Sequence, residues 1–298
     1  MTTRQRTTTY NLLAALVVAA ISLVGCGGSA PEGPVRGSAE WYSQTATEAY
    51  TAGDYVKALE ELEYAADGEG EWAQRAVIWR GLVTAGLGRG NQAVAEVGRI
   101  AMEENIDLVG LVRTPMQQAQ RDARQNIIGF VEELGSFQTA LGSGDIVLDL
   151  PFPPGSQTDS AAMSALENGE PIAENRLEGG VRDYIGRGVV EVFAVMAGTG
   201  DDLAKAQAAF EAGPVTVSGA AGKLAVATLL TDMSPAFSKA QMNDAKVREA
   251  ILQRADQWIE SGLESEDEEV KARAERLRDI IEDERRDIKG LVRLHADD

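Results

Sequence analysis

From Ala39 to the C-terminus, apolar residues recur at the three- and four-residue spacing of amphipathic helices, and this pattern constrains the fold most strongly. Alanine, leucine, glutamate and glutamine dominate the stretch, and runs rich in β-branched residues are few. Since the dominant residues are good helix formers, strands are expected to be scarce. At 298 residues the chain can bury a large apolar core. We therefore predict an all-α fold.

Two stretches of this helical region repeat one pattern. Ala52–Asp67 ("AGDYVKALEELEYAAD") and Thr199–Gly213 ("TGDDLAKAQAAFEAG") each contain a Gly-Asp turn, then Lys-Ala, then a large apolar residue four positions further on. A related stretch, Leu87–Ala101, has Ala93 in the role of Ala58, about 35 residues later. Antiparallel helices joined by a short turn need a small residue where their backbones approach and a large one beside it. The repeats therefore predict stacked antiparallel helical hairpins.

The first copy resembles the tetratricopeptide repeat, a family of such hairpins. The matching positions are Ala46, Gly53, Asp54, Tyr55, Ala58, Leu62 and Ala65. The resemblance implies an alpha-alpha superhelix with two repeats and a third, degenerate one around Ala206. It also implies a concave binding face formed by the first helix of each hairpin. Carried over to this sequence, that face consists of Glu40, Ser43, Thr47, Tyr50, Arg75, Ile78 and Leu82. We interpret Trp41, Trp72 and Trp79, in the same region, as packing residues rather than ligand contacts.

Further local signals place the other helices. "TPMQ" (Thr114–Gln117) is typical of a helix start, with Thr as the cap and Pro at the first position, and this helix is expected to end near Ala140. The pieces "GLGRG" and "SGAAG" are interpreted as turns between helices. Additional helices are predicted over residues 160–168, 177–197, 204–212, 219–231 and 245–261.

Residues 142–159 ("GSGDIVLDLPFPPGSQTD") are the one long irregular segment expected in the folded part of the chain. Pro151, Pro153 and Pro154 exclude a regular helix there. A loop of this length can act as a lid or a contact surface, but we favour a plain connector.

The last segment predicts a long C-terminal helix, because its apolar residues alternate at three- and four-residue steps, interrupted at Glu284. We expect this stripe to cap the helical stack, and the alternative is self-association through the same helix. The residues of the stripe are Val270, Ala274, Leu277, Ile281, Ile288 and Leu291.

The N-terminus has the order of an export signal: two arginines without an acid, then the apolar run Leu12–Val24, then small residues. The run is shorter than the roughly 20 residues that span a bilayer. "LVGC" (Leu23–Cys26) resembles the lipobox of bacterial lipoproteins. The resemblance implies cleavage before Cys26, a diacylglycerol on its sulfur and acylation of the new amino group. The alternative is an ordinary secretory peptide with a chance cysteine.

Several boundaries follow from this resemblance. Residues 1–25 are predicted to be a lipoprotein signal peptide, 26–38 a flexible Gly-, Ser- and Pro-rich tether, and 39–298 the helical repeat domain. Two or three acyl chains anchor a protein without spanning the membrane. In Gram-negative lipoproteins an Asp after the cysteine retains the protein at the inner membrane, so Gly27 favours the outer membrane, facing the periplasm.

Composition excludes several kinds of chemistry. Acidic residues outnumber basic ones by 47 to 28, giving a net charge of −19 that repels nucleic acid. One cysteine and one histidine, His295, cannot form a metal-ligand cluster. No catalytic or phosphate-binding motif can be identified. We therefore predict no enzyme, cofactor or metal.

Two functional hypotheses remain. The first is an envelope lipoprotein whose tetratricopeptide-like domain serves as a scaffold for other envelope proteins. The second is suggested by "DLAKAQAAFEAG", which resembles the late repeat of the T-component lipoproteins associated with TRAP transporters. That family implies handling of a small ligand in the periplasm. An outer-membrane assembly or secretion lipoprotein would use similar repeats and is not distinguished by the sequence.

Overall fold

The computed structural model describes residues 33–142, 144–153 and 160–296, with only the backbone described at residue 160 and from 291 onward. The chain divides into two units after Gly37, and the second, Ser38–Asp298, contains every described helix and strand. In chain order the helices are α1 (Ala39–Thr51), α2 (Tyr55–Ala66), α3 (Glu71–Glu104), α4 (Val109–Leu141), α5 (Ser160–Glu167), α6 (Glu174–Met196), α7 (Leu203–Glu211), α8 (Gly219–Met233), α9 (Met242–Leu263) and α10 (Glu268–Ala296). The predicted all-α class is confirmed.

Helix α3 is the centre of the fold, since α2, α4, α5, α6 and α8 all pack against it. It runs without a break through "GLGRG", so the prediction of a turn there is wrong. The glycines instead allow close contact between helices. A Cβ at Gly86 would lie 2.5 Å from Val189 Cα on α6, and a Cβ at Gly90 would lie 2.5 Å from Ile185 Cα. The prediction of a turn at "SGAAG" is also wrong. This segment forms the N-cap and first turn of α8, where Ser218 Oγ accepts from the Ala221 amide.

The tetratricopeptide-like superhelix is not confirmed, because the second predicted hairpin is part of this single helix. The first hairpin is present: Gly53, with φ of +77°, ends α1 and Asp54 caps α2 by accepting from the Lys57 amide at 3.2 Å. The degenerate copy has the same cap, in which Asp202 accepts from the Lys205 amide at 2.9 Å.

Helix α4 begins at Val109, so the helix start predicted at Thr114 is wrong and Pro115 lies inside the helix. An interior proline costs about 3 kcal/mol. The preceding turn is nevertheless helical, and Val112 within it and Leu108 just before it are buried in a second apolar cluster with the C-terminal part of α3. Helix α4 ends at Leu141, next to the predicted end.

The segment predicted to be irregular contains a strand. Within residues 142–159, β1 (Ile146–Leu148) pairs in antiparallel fashion with β2 (Val215–Val217), with Ile146 opposite Val217. Both Ile146 and Leu148 are buried. The five further helices predicted between residues 160 and 261 are all present, with ends within three residues of the expected ones.

The C-terminal helix α10 packs against α9 and α8 through the predicted stripe. Val270, Ala274, Leu277, Ile281 and Ile288 are all buried within the chain, as expected for a cap. The interruption at Glu284 carries an ion pair: Arg248 Nη2 on α9 donates to Glu284 Oε2 at 2.8 Å. In the part of the chain that the structure describes, no helix is both long and apolar enough to cross a membrane.

Candidate functional site: an acidic groove between α2 and α4

A groove of about 760 Å³ runs between α2 and α4 over the surface of α3. Both outer helices pack on α3, and the space between them lies over the middle of that central helix. The floor is formed by Arg80, Thr84, Leu87 and Asn91 of α3 together with Ile185 of α6. We call this feature the acidic groove because of the side chains on its walls.

Five carboxylates line the acidic groove: Asp54, Glu60, Glu63, Asp122 and Glu133. Arg80 is the one basic residue among the lining residues, and its Nε donates to Glu133 Oε2 at 3.2 Å. Arg80 therefore neutralises one of the five carboxylates. The remaining excess of negative charge attracts cations into the groove.

The groove also exposes apolar surface. Val56 on α2 is 68% exposed, and Leu59, one turn further on, is half-buried against the core. These two side chains place apolar surface beside the carboxylates of the acidic groove.

Polar side chains on the α3 and α4 sides of the groove are held in place by their own helices. Asn91 Nδ2 donates to the Leu87 carbonyl at 2.9 Å, and Asn126 Nδ2 donates to the Asp122 carbonyl at 2.8 Å. At the end of the groove, burial raises the pKa of Tyr55. Its hydroxyl is protonated at neutral pH, as that of an ordinary tyrosine is, and can donate to a ligand.

The structure gives packing roles to several of the residues predicted to form a concave face. Ser43, Tyr50, Ile78 and Leu82 are buried. The Tyr50 ring packs against Phe193, with centroids 6.2 Å apart, and the Ser43 and Tyr50 hydroxyls are buried without a hydrogen-bond partner. In this conformation these side chains cannot reach a ligand on the surface.

The other predicted binding residues are partly accessible. Glu40 and Thr47 lie on α1, and Thr47 Oγ1 donates to the Ser43 carbonyl at 2.8 Å. Arg75 on α3 forms ion pairs with Asp149, just after β1, and with Glu71. Its guanidinium also lies 5.0 Å from the centre of the Trp72 ring. These contacts hold the Arg75 guanidinium against the residue that follows β1.

The acidic groove uses the second helix of the first hairpin, whereas the resemblance assigned binding to the first helix. In the sequence, the signal for the α2 side of the groove is the helical spacing of Val56, Glu60 and Glu63. In the structure these three residues lie on the exposed face of α2. Among the predicted packing residues, Trp79 is buried, and Trp41 packs edge-to-face on Tyr42 at 5.0 Å. Cys26, with the predicted signal peptide, lies outside the described residues.

The fold and the groove together define an all-α protein with an open, negatively charged surface groove. No family model, curated protein or solved structure matches the chain. Among the described residues, no group of three or more Asp, Glu, His or Cys side chains has the arrangement of a metal site.

Proposed function

We propose that this chain is an envelope lipoprotein, anchored through Cys26, whose helical body is a scaffold that binds another envelope protein in the acidic groove. The occupant is a cationic segment with apolar side chains. The observation that carries this proposal is the excess of carboxylates around the exposed Val56 side chain. Opposite charge speeds association and rejects acidic competitors, and the apolar contact adds affinity.

The dimensions of the groove support a peptide ligand. Helix α2 has 12 residues, which correspond to a length of about 18 Å. A wall of this length accommodates about five or six residues of extended chain. The groove opens to solvent, as a surface for a protein segment requires. The alternative, handling of a small ligand, favours a site that encloses most of its ligand.

A defined probe tests the groove. The probe is a fluorescein-labelled peptide of about ten residues with alternating Lys and Leu, long enough to extend past both ends of α2. Binding to the full chain is measured by fluorescence anisotropy. We expect the double variant Glu60→Gln/Glu63→Gln to bind about tenfold more weakly, since each lost ion pair contributes about 0.5–1 kcal/mol.

The matched control is Glu275→Gln/Glu282→Gln, which removes the same charge from exposed positions on α10. We expect this variant to bind the peptide like the wild type. Equal weakening in both variants would mean that the peptide responds only to net charge, and the groove would be rejected as the docking site.

The anchor is tested separately. The full chain with Cys26→Ala is expected to be released from the membrane fraction and to lose labelling by radioactive palmitate, because the acceptor sulfur is removed. The control is the wild-type chain, which differs only in retaining Cys26. A Cys26→Ala protein that still partitions with membranes contradicts the lipid anchor and leaves the groove proposal untouched.

A further inference from the structure

A pocket of about 520 Å³ lies between α4, α8 and α9, and it shares no lining residue with the acidic groove. Its volume is within the range of roughly 300–1,000 Å³ that is typical of small-molecule sites. We call it the α9 pocket, because α9 forms one of its walls. The pocket is therefore large enough for a small organic molecule.

The apolar part of the lining is built into the core. Leu134 on α4 and Trp258 on α9 are both buried, and the ring centres of Trp258 and Phe137 lie 6.4 Å apart. Helix α9 also packs along α8. Val131 on α4 is only half-buried, so it adds accessible apolar surface. These contacts fix the shape of the pocket before a ligand binds, which lowers the entropic cost of binding.

Two accessible cations line the α9 pocket. Arg254 on α9 is exposed, and its Nη1 donates to Gln257 Oε1 at 3.3 Å. Lys223 on α8 is half-buried, and its Nζ still reaches solvent. In the part of the chain that the structure describes, neither side chain forms an ion pair. Both charges are therefore available to a ligand.

The sequence explains why the two cations lack partners on their own helices. No acidic residue occurs within four positions of Lys223. Arg254 has one such neighbour, Asp256, but residues two positions apart on a helix face different directions. Asp256 pairs instead with Arg285 Nη1, at 2.8 Å. Neither α8 nor α9 therefore offers these cations a carboxylate.

The lining of the α9 pocket is positively charged in a chain whose net charge is −19. Glu132 on α4 is the one carboxylate among the lining residues, and it is exposed, so Lys223 and Arg254 exceed it by one charge. A half-buried ammonium group loses part of its hydration, and an anionic ligand compensates for that loss. Gln138 and Gln257, both exposed in the lining, provide amide N–H groups that can donate to the same anion.

We propose that the α9 pocket binds a small organic carboxylate with an apolar body. The carboxylate pairs with Lys223 and Arg254, and the apolar body lies against Val131 and Trp258. The excess of one positive charge matches a monoanion, so a carboxylate fits better than a doubly charged phosphate. The charged end orients the ligand, and burial of its apolar body adds affinity. This proposal does not depend on the function proposed for the acidic groove.

Equilibrium dialysis of the full chain tests the proposal with two matched probes, 4-phenylbutyrate and the uncharged 4-phenyl-1-butanol. Both probes have the same apolar body, so their comparison isolates the effect of the charge. We expect 4-phenylbutyrate to bind about tenfold more tightly, since it forms two ion pairs that the alcohol lacks. No retention of 4-phenylbutyrate, or equal retention of the alcohol, overturns the proposal.

A double variant locates the binding. Lys223→Gln/Arg254→Gln removes both cations of the α9 pocket without breaking an ion pair among the described residues. We expect it to bind 4-phenylbutyrate about tenfold more weakly. The control, Lys205→Gln/Lys246→Gln, removes the same charge from exposed positions on α7 and α9 outside the pocket, and should bind like the wild type. Equal weakening in both variants would mean that the probe responds only to net charge, and the site would be refuted.

A further variant should act in the opposite direction. Glu132→Gln removes the carboxylate from the lining, and we expect it to strengthen 4-phenylbutyrate binding about threefold, because repulsion between like charges is relieved. Glu275→Gln, at an exposed position on α10, is the control and should leave binding unchanged. Weaker binding in Glu132→Gln would contradict a ligand carboxylate in this pocket.

Discussion

Gly188 on α6 lies so close to Gly90 on α3 that a Cβ atom at Gly188 would be 2.2 Å from the Gly90 nitrogen. The same atom would lie 2.6 Å from the Gly86 carbonyl oxygen. Because these neighbours are backbone atoms, they cannot move aside as a flexible side chain could. Backbone contact between α3 and α6 therefore depends on glycine at all three positions, and it sets the depth at which α6 packs.

Gly188→Ala is expected to lower the free energy of unfolding by about 3 kcal/mol, since the new methyl group forces the two helices apart. The measurement is urea denaturation followed by circular dichroism. The control is Gly179→Ala on the same helix, where a Cβ meets no atom within 4 Å. That variant should be up to about 1 kcal/mol more stable, because alanine is the better helix former. Equal stability of the two variants would disprove the close contact.

Tyr50→Phe is expected to raise the free energy of unfolding by about 1 kcal/mol, because it removes a buried hydroxyl that has no hydrogen-bond partner. Tyr64→Phe, at an exposed position, is the control and should have little effect. Thermal unfolding at pH 7 measures both. A loss of stability in Tyr50→Phe would mean that the hydroxyl has a partner, such as a buried water.

The same tyrosine predicts a pH dependence. Burial, and then the nearby Tyr55, raise the pKa of Tyr50 well above its ordinary value. The folded state therefore retains the proton that the unfolded chain releases above about pH 10. The contribution of Tyr50 protonation to the free energy of unfolding is therefore fully present below about pH 10. It is lost as the pH rises toward the pKa of Tyr50 in the folded state. The free energy of unfolding is measured by urea denaturation at a series of pH values above about 9. As the pH rises, it should decrease less steeply for Tyr50→Phe than for the wild type.

Glu284→Gln is expected to cost about 2 kcal/mol, because it leaves the buried Arg248 without its anionic partner. Asp283→Asn is the matched control, since Asp283 and Arg286 form an ion pair in which both side chains are more than 70% exposed. Its effect should be within about 0.5 kcal/mol. Urea denaturation distinguishes the two, and a Glu284→Gln chain as stable as Asp283→Asn would contradict the role of this pair in holding α10.

Ile281→Asp is expected to destabilise the chain by about 4 kcal/mol, since it places a charge at a fully buried position of α10. Ile280→Asp, at the adjacent and 53% exposed position, should be nearly neutral. Thermal unfolding measures the stability of each variant, and size-exclusion chromatography measures its oligomeric state. Together they distinguish a helix that caps the stack from one that mediates self-association. A stable Ile281→Asp monomer replacing a wild-type dimer would favour self-association.

Local signals in the sequence predicted local structure well. The Gly-Asp caps at Asp54 and Asp202, the start of α8 at Gly219 and the stripe of α10 each depend on residues within one or two turns. "GLGRG" was misinterpreted because glycine serves both a turn and a close helix contact. Only the position of α6, which comes from a distant part of the chain, distinguishes the two uses.

The candidate sites could not be predicted in the same way. The chain has 47 acidic residues. Nothing in the sequence distinguishes the carboxylates of α2 and α4 that meet in the groove from the other acidic residues. The groove depends on distances between helices, which helical periodicity does not specify.

The uninterrupted course of α3 has a consequence for hydrogen exchange. Its central amides are internally hydrogen-bonded, and the residues from Gly81 to Gly88 are all buried beneath neighbouring helices. Amides in the middle of α3 should therefore exchange with solvent only through global unfolding, whereas those near the ends of α1 and α10 exchange through local opening.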